Sequence, residues 1–156
     1  MWILALAVML VAAGCNSTTN NQAPADQPAE GDVSGAEASV TDIVWQWTET
    51  ITPVEKISVD DPAKYTLQLL SDGQVRILAD CNSATTSYSL EGQSLKISEP
   101  MAMTMAFCGE DSLSDEFVRE LTASAIHFMD GEDLMIDMMA DGGTMRFTNG
   151  GPSPTE

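Results

Sequence analysis

Two alternating apolar runs meet at Asp72-Gly73, and that junction restricts the fold more than any other feature of the sequence. Tyr65, Leu67 and Leu69 recur at period two before it, and Val75, Ile77 and Ala79 recur at period two after it. Alternation of this kind puts each set on one face of a pleated ribbon. Asp-Gly supplies the positive φ that a tight hairpin turn requires. The sequence thus predicts an antiparallel hairpin over 65–80 with one apolar face to be covered.

The same pattern recurs along the chain. Ile43, Trp45 and Trp47 share one face of an opening strand, and Ile51 to Ala63 reads as a loop whose Pro53 and Pro62 forbid a central strand. After a polar turn at Asn82 to Thr86, Tyr88, Leu90, Leu95 and Ile97 are the inner residues of a second hairpin around Glu91-Gly92-Gln93. Three further strands are predicted at Ala125 to Met129, Leu134 to Met138 and Thr144 to Asn149, separated by turns rich in Gly and Asp. Their inner pairs are Ile126 with Phe128, Leu134 with Ile136, and Met145 with Phe147. One helix carries Leu113, Phe117, Val118 and Leu121 as its apolar stripe, with Ser112 or Ser114 as cap and its other face solvated. About eight short strands and one helix make an α+β domain, with a barrel-like antiparallel sheet curled to limit open edges. Gly150 to Glu156 reads as a polar tail without ordered structure.

The two ends of the chain differ from this pattern. Met1 to Gly14 is almost wholly apolar; as a helix it would reach about 21 Å, short of a hydrocarbon core of about 30 Å. Such a run ending in small residues before a cysteine reads as a secretory signal, and Val11-Ala12-Ala13-Gly14-Cys15 resembles the lipobox of bacterial lipoproteins. That resemblance implies cleavage before Cys15 and a lipid on it. A buried N-terminal helix with an incidental cysteine is the lower-ranked alternative. Asn16 to Asp42 follows with five acidic residues, no basic one and hardly a large apolar side chain, so it cannot bury enough surface to order itself and reads as a tether.

With Cys15 assigned to the signal, Cys81 and Cys108 remain. In an exported chain they would be oxidised, and closing the intervening loop would contribute about 3.5 kcal/mol in a chain-entropy treatment. Two separate buried thiols rank below this. A redox-active pair ranks third, because the spacing is not Cys-x-x-Cys and no base lies nearby in sequence to lower a thiol pKa.

Trp45-Gln46-Trp47, Tyr65 to Leu69 with Asp72 to Val75, Asp80-Cys81-Asn82 with Tyr88, Met103-Thr104-Met105-Ala106-Phe107-Cys108, and Phe117 with Leu121 together resemble the META domain family, which includes HslJ-like heat-shock-inducible proteins. Asn82, Thr104 and Met105 belong to the motifs that carry the likeness, while Asp80 stands where the family commonly has Gly. The resemblance implies a small α+β domain with a curled sheet, similar in outline to lipoprotein pilots of secretion channels. It implies a role in stress response or the envelope, and no catalytic residues.

The residues themselves point the same way. His127 is the single histidine and alternates with Ile126 and Phe128, which places it on an outer face. Met101, Met103 and Met105 could ligate a soft metal such as Cu(I), but methionines more often fill core gaps. That second reading is preferred here and for Met129, Met135, Met138 and Met139. The formal charge is -18; without the five tether acids and Glu156 the remaining 18 acids face six bases, which makes nucleic acid and anionic lipid poor partners. The expected protein is a non-enzymatic, monomeric, cofactor-free envelope lipoprotein, membrane-held through Cys15 and acting in stress response or as an accessory to an envelope or secretion component. The alternatives are a module holding an apolar or lipid ligand inside its barrel and, more remotely, a carboxylate-based hydrolase. The acids read as a solvating surface whose self-repulsion salt screens. Tm should therefore rise between dilute buffer and seawater ionic strength, and a falling Tm in calorimetry contradicts this.

Overall fold

The hairpin at Asp72-Gly73 is present in the computed structural model, which describes residues 39–154. Gly73 takes φ +85° at the turn, and the Gln74 amide donates to Asp72 Oδ1 at 2.9 Å. The domain runs β1 (Ile43–Ile51), β2 (Lys56–Ser58), β3 (Tyr65–Leu69), β4 (Gln74–Ala79), β5 (Asn82–Glu91), β6 (Ser94–Ile97), β7 (Ala102–Met103), α1 (Ser114–Thr122), β8 (Ser124–Asp130), β9 (Asp133–Met138) and β10 (Thr144–Pro152). Eight strands pair antiparallel in the closed ring β1-β3-β4-β5-β6-β8-β9-β10, shut by the β1–β10 ladder. The eight predicted strands supply this ring one for one. β2 and β7 are added to it, on β1 and β5.

The ring closes around side chains. Trp45, Trp47, Leu67, Leu69, Val75, Leu95, Leu134, Ile136, Met145 and Phe147 are fully buried. The helix completes this core, since Phe117 stacks on Trp47 at a centroid distance of 5.0 Å and meets Tyr65 edge-on at 5.7 Å and Phe147 at 6.2 Å. Offset and edge-on ring pairs add attraction beyond the area they bury. Each buried indole N–H is also satisfied: Trp45 donates to the Val40 carbonyl, and Trp47 to Glu49 O and Thr50 Oγ1.

Several expectations are corrected. Asn82 to Thr86 is the first half of β5, with Asn82 and Ala84 buried and Ser83 and Thr85 exposed, so polar residues conceal an alternating strand. The loop between Ile51 and Ala63 contains β2, a three-residue edge strand that fits between its prolines. Leu90 shares the inner face with the buried Leu95 opposite it, as expected, but lies 37% exposed near the tip of the second hairpin. The predicted tail is ordered as far as Pro154, because β10 continues to Pro152 opposite Ile43 and the Ser153 amide donates to Asp42 O. Leu113 occupies the N-cap position and offers no side-chain bond, its own amide donating to the Tyr65 hydroxyl at 3.0 Å; Ser112, one residue earlier, accepts from the Ser114 amide at 3.3 Å through its Oγ.

The largest correction concerns β8. A bulge between Ser124 and Ile126 shifts its parity, so that His127 and Met129 lie opposite the buried Ile136 and Leu134. Directly opposite residues share a sheet face, hence His127 is on the inner side. Ile126, 46% exposed, and Phe128 pair instead with Asp137 and Met135 on the outer side. An inserted residue reverses every later side chain of a strand. The β6–β8 seam is also thin, with one ladder pair, Ser94 with Ile126, supplemented by the His127 amide donating to Gln93 O.

The signal residues, Cys15 and nearly all of the tether lie outside the described residues; within them no helix is long and apolar enough to cross a membrane. Phe117 links the helix to three strands of the ring, so Phe117→Ala should cost about 3–5 kcal/mol in urea unfolding. A loss below about 1 kcal/mol would show that the barrel closes without it.

Candidate functional site

The segment between β6 and α1 runs along β5 as a strap, pairing with its first half through β7. Its fixing point is Asn82, the first residue of β5, which is 4% exposed. Asn82 Oδ1 accepts from the Ala106 amide at 2.7 Å and from Thr104 Oγ1 at 3.1 Å, while its Nδ2 donates to the Ala106 carbonyl at 2.9 Å. Thr104 Oγ1 in turn accepts from the Ser83 amide at 2.9 Å. One buried carboxamide thus satisfies both polar groups of Ala106 and orients Thr104. An aspartate could not supply the donor half of this arrangement.

Cys81 and Cys108 close the strap with a disulfide, their Cα atoms 5.5 Å apart. Cys108 Sγ receives two N–H groups, from the Cys81 amide at 3.3 Å and from Asn82 Nδ2 at 3.2 Å. A surface cleft of about 460 Å³ adjoins it, lined by Asp60, Asp61, Asp80, Glu110 and Asp111 and by Lys64, whose ammonium lies 3.4 Å from Asp80. Between Thr104 and Cys108 the strap holds Met105 and Phe107 in solvent, at 87% and 85% exposure.

A second cleft, of about 430 Å³, lies between α1, the β1–β2 loop and the β9–β10 turn. Glu120 and Glu116 line it together with Arg119, Val54 and Met139. Glu120 is only 3% exposed, and Thr50 Oγ1 donates to its Oε2 at 2.7 Å. Burial pushes the Glu120 carboxyl up from 4.5 to about 7; its hydrogen bond to Glu116 and that neighbour's charge add to the shift, and Thr50 and Arg119 oppose it. Arg119 is ion-paired with Glu116 across one turn of the helix. A third charged group, Arg146 on β10, bonds Asp133 at 2.8 Å and reaches Asp130 at 3.5 Å, an exposed network that raises its pKa, first through the Asp133 hydrogen bond.

The structure brings Asn82, Thr104, Cys81 and Cys108 together, whereas Cys15 lies outside the described residues. Met105 joins none of these contacts and is exposed, as is Met139 at 59%, so neither fills the core. Met101, Met103 and Met129 pack against it, and Met138 and Met145 are within it. His127 is half-buried on the inner face, its Nδ1 3.0 Å from the Gln93 carbonyl. In the sequence the acids read as a solvating surface and the helix as solvated beyond its stripe. Glu120 departs from both. The signal available in the sequence was its place beside Leu121 and three residues after Phe117, at the margin of the apolar stripe.

The META domain family matches residues 38–150, most of the chain and all of the barrel's strands except the end of β10. The chain belongs to the META domain family. No curated protein matches it. The NMR structure of a protein from Burkholderia xenovorans is similar in fold, with a TM-score of 0.60 at 18% identity, covering 86% of this chain and 98% of that one. The crystal structure of a duf4847 family protein from Bacteroides vulgatus ATCC 8482 has a TM-score of 0.53 at 12% identity, covering 73% of this chain and 96% of its own. At Asp80, where META domains commonly have Gly, this member takes φ +59°. Aspartate is among the few other residues that enter the left-handed region readily, and the Lys64 ammonium meets its carboxylate there.

The META domain's buried Glu120 also sets a pH dependence. Below about 4.5 it is protonated folded or unfolded; between about 4.5 and 7 the unfolded chain ionises it while the folded domain retains the proton. The folded state binds more protons in that window, so this group's contribution to stability falls as pH rises through it and levels off above about 7. Glu120→Gln mimics the protonated form. In thermal melts followed by circular dichroism, the variant should gain on the parent steadily from pH 4.5 to 7. A constant difference in Tm would contradict the assignment.

Proposed function

We propose that this META domain is a non-catalytic module of the cell envelope, carried on a lipid at Cys15 and acting in stress tolerance or as an accessory to another envelope component. The observation that carries the reading is the bonded Cys81–Cys108 pair. Structural disulfides belong to oxidising compartments, and the sequence ahead of the domain supplies a route there, Val11 to Cys15 followed by an acidic tether. Packing speaks against a ligand held inside the barrel, because Trp45, Trp47, Phe117 and Phe147 occupy that space. A module of this kind works through its surface.

One observation favours a hydrolase, the meeting of Glu116 and Glu120 at a cleft. A general acid with a pKa near 7 is well poised. Yet Glu120 is buried, with its carboxyl engaged by Thr50 and Glu116, and so faces the fold more than the cleft. The envelope reading is therefore the one put to the test. Globomycin or Cys15→Ala should move the protein from the membrane fraction to the soluble fraction of its native host. Unchanged fractionation in both cases would overturn the anchor.

A further inference from the structure

The two sulfurs of the disulfide have unequal surroundings. Cys108 Sγ accepts from the Cys81 amide and from Asn82 Nδ2, at 3.3 and 3.2 Å, and Cys108 is half-buried. Cys81 is exposed, and its sulfur lies 4.0 Å from the Ala106 carbonyl oxygen, an acceptor. That carbonyl also lies 3.6 Å from Cys108 Sγ, where its charge is partly met by the Asn82 N–H it accepts at 2.9 Å. N–H groups aimed at a sulfur stabilise it as a thiolate. In thiol–disulfide exchange the sulfur better stabilised as a thiolate is the better leaving group, and attack falls on its partner.

We propose that Cys81–Cys108 is a thiol–disulfide exchange site, attacked at Cys81 with Cys108 as leaving group, and selective for thiols that bring a positive charge. An incoming thiolate forms a new S–S bond to Cys81 Sγ. The Cys81–Cys108 bond breaks and its electron pair stays on Cys108, where Asn82 and the Cys81 amide receive the charge. The Cys108 thiolate then attacks the mixed disulfide and expels the first thiol, restoring the original bond. Alternatively a second thiol attacks the mixed disulfide, leaving both cysteines reduced and the two thiols oxidised to their own disulfide. The strap survives either path, because Thr104 and Ala106 remain bonded to Asn82.

Charge sets the selectivity. Asp80 adjoins Cys81, and Glu110 and Asp111 share the cleft beside Cys108; Lys64 is the cation there and is engaged by Asp80. An attacking thiolate with further negative charge meets repulsion from this set, and one with a neighbouring ammonium does not. The absence of Cys-x-x-Cys spacing is no obstacle. Two N–H donors do what a neighbouring base or helix terminus does elsewhere.

The test uses the full chain with Cys15→Ala, so that the pair is the sole source of thiols. Limiting cysteamine, 2-mercaptoethanol and glutathione, whose thiolates carry net charges of about 0, -1 and -2, are compared at equal thiolate concentration, each rate being divided by that thiol's rate with an uncharged small-molecule disulfide. Free thiols are alkylated and the adducts located by peptide mass mapping. Mixed disulfides should lie on Cys81 over Cys108 by about tenfold, with rates in the order cysteamine, 2-mercaptoethanol, glutathione. Asn82→Asp removes the side-chain donor and keeps the acceptor for Ala106 and Thr104, so the preference for Cys81 should fall severalfold. An even split, a preference for Cys108, equal rates after normalisation, or an unchanged preference in a folded Asn82→Asp protein would each overturn the proposal. If that variant fails to fold, the adduct position and the charge order in the parent still decide the matter.

Discussion

The domain depends on Phe117 reaching the interior of the ring. Eight short strands close on themselves around an apolar interior, and the helix adds its own side chains to it. It places one ring against Trp47, Tyr65 and Phe147, which come from β1, β3 and β10. It also brings Glu120 down onto Thr50, the same hydroxyl that receives the Trp47 indole. Aromatic packing and a buried polar relay are thus parts of one contact between α1 and β1. A buried carboxyl with a raised pKa is the electrostatic cost of that packing.

Much of the fold was legible in the sequence because barrel strands announce themselves by alternation. Trp45 and Trp47, Leu67 with Ile77, and Met145 with Phe147 all lie where period two puts them. Alternation carries no signal of a bulge, however, and a single inserted residue between Ser124 and Ile126 was enough to exchange the faces of Ile126 and His127. Asn82 to Thr86 was obscure for another reason: its inward positions are an amide, an alanine and a threonine, so the apolar rhythm falls silent although the backbone stays extended.

The site was legible in part. Cysteine count and compartment chemistry paired Cys81 with Cys108, and a family motif singled out Asn82 and Thr104, yet neither could say what Asn82 does. Its function lies in three dimensions, since the groups it bonds are 22 to 26 residues away. Met105 shows the reverse case. It shares the motif and contributes nothing to the clamp, standing in solvent beside Phe107.

The β1–β10 ladder that shuts the ring also brings the two ends of the domain to one pole. Ile43 lies opposite Pro152, and Asp42 is bonded to both Leu69 and Ser153, so the two ends of the domain leave together beside the tip of the β3–β4 hairpin. β4 then runs away from that tip, and the disulfide sits past its far end, at about 3.3 Å per residue roughly 20 Å away. A chain gripped by the residues before Asp42 is therefore gripped at the pole remote from Cys81 and Phe107. A reporter fused behind Pro154 would emerge at the gripped pole and leave the other unobstructed.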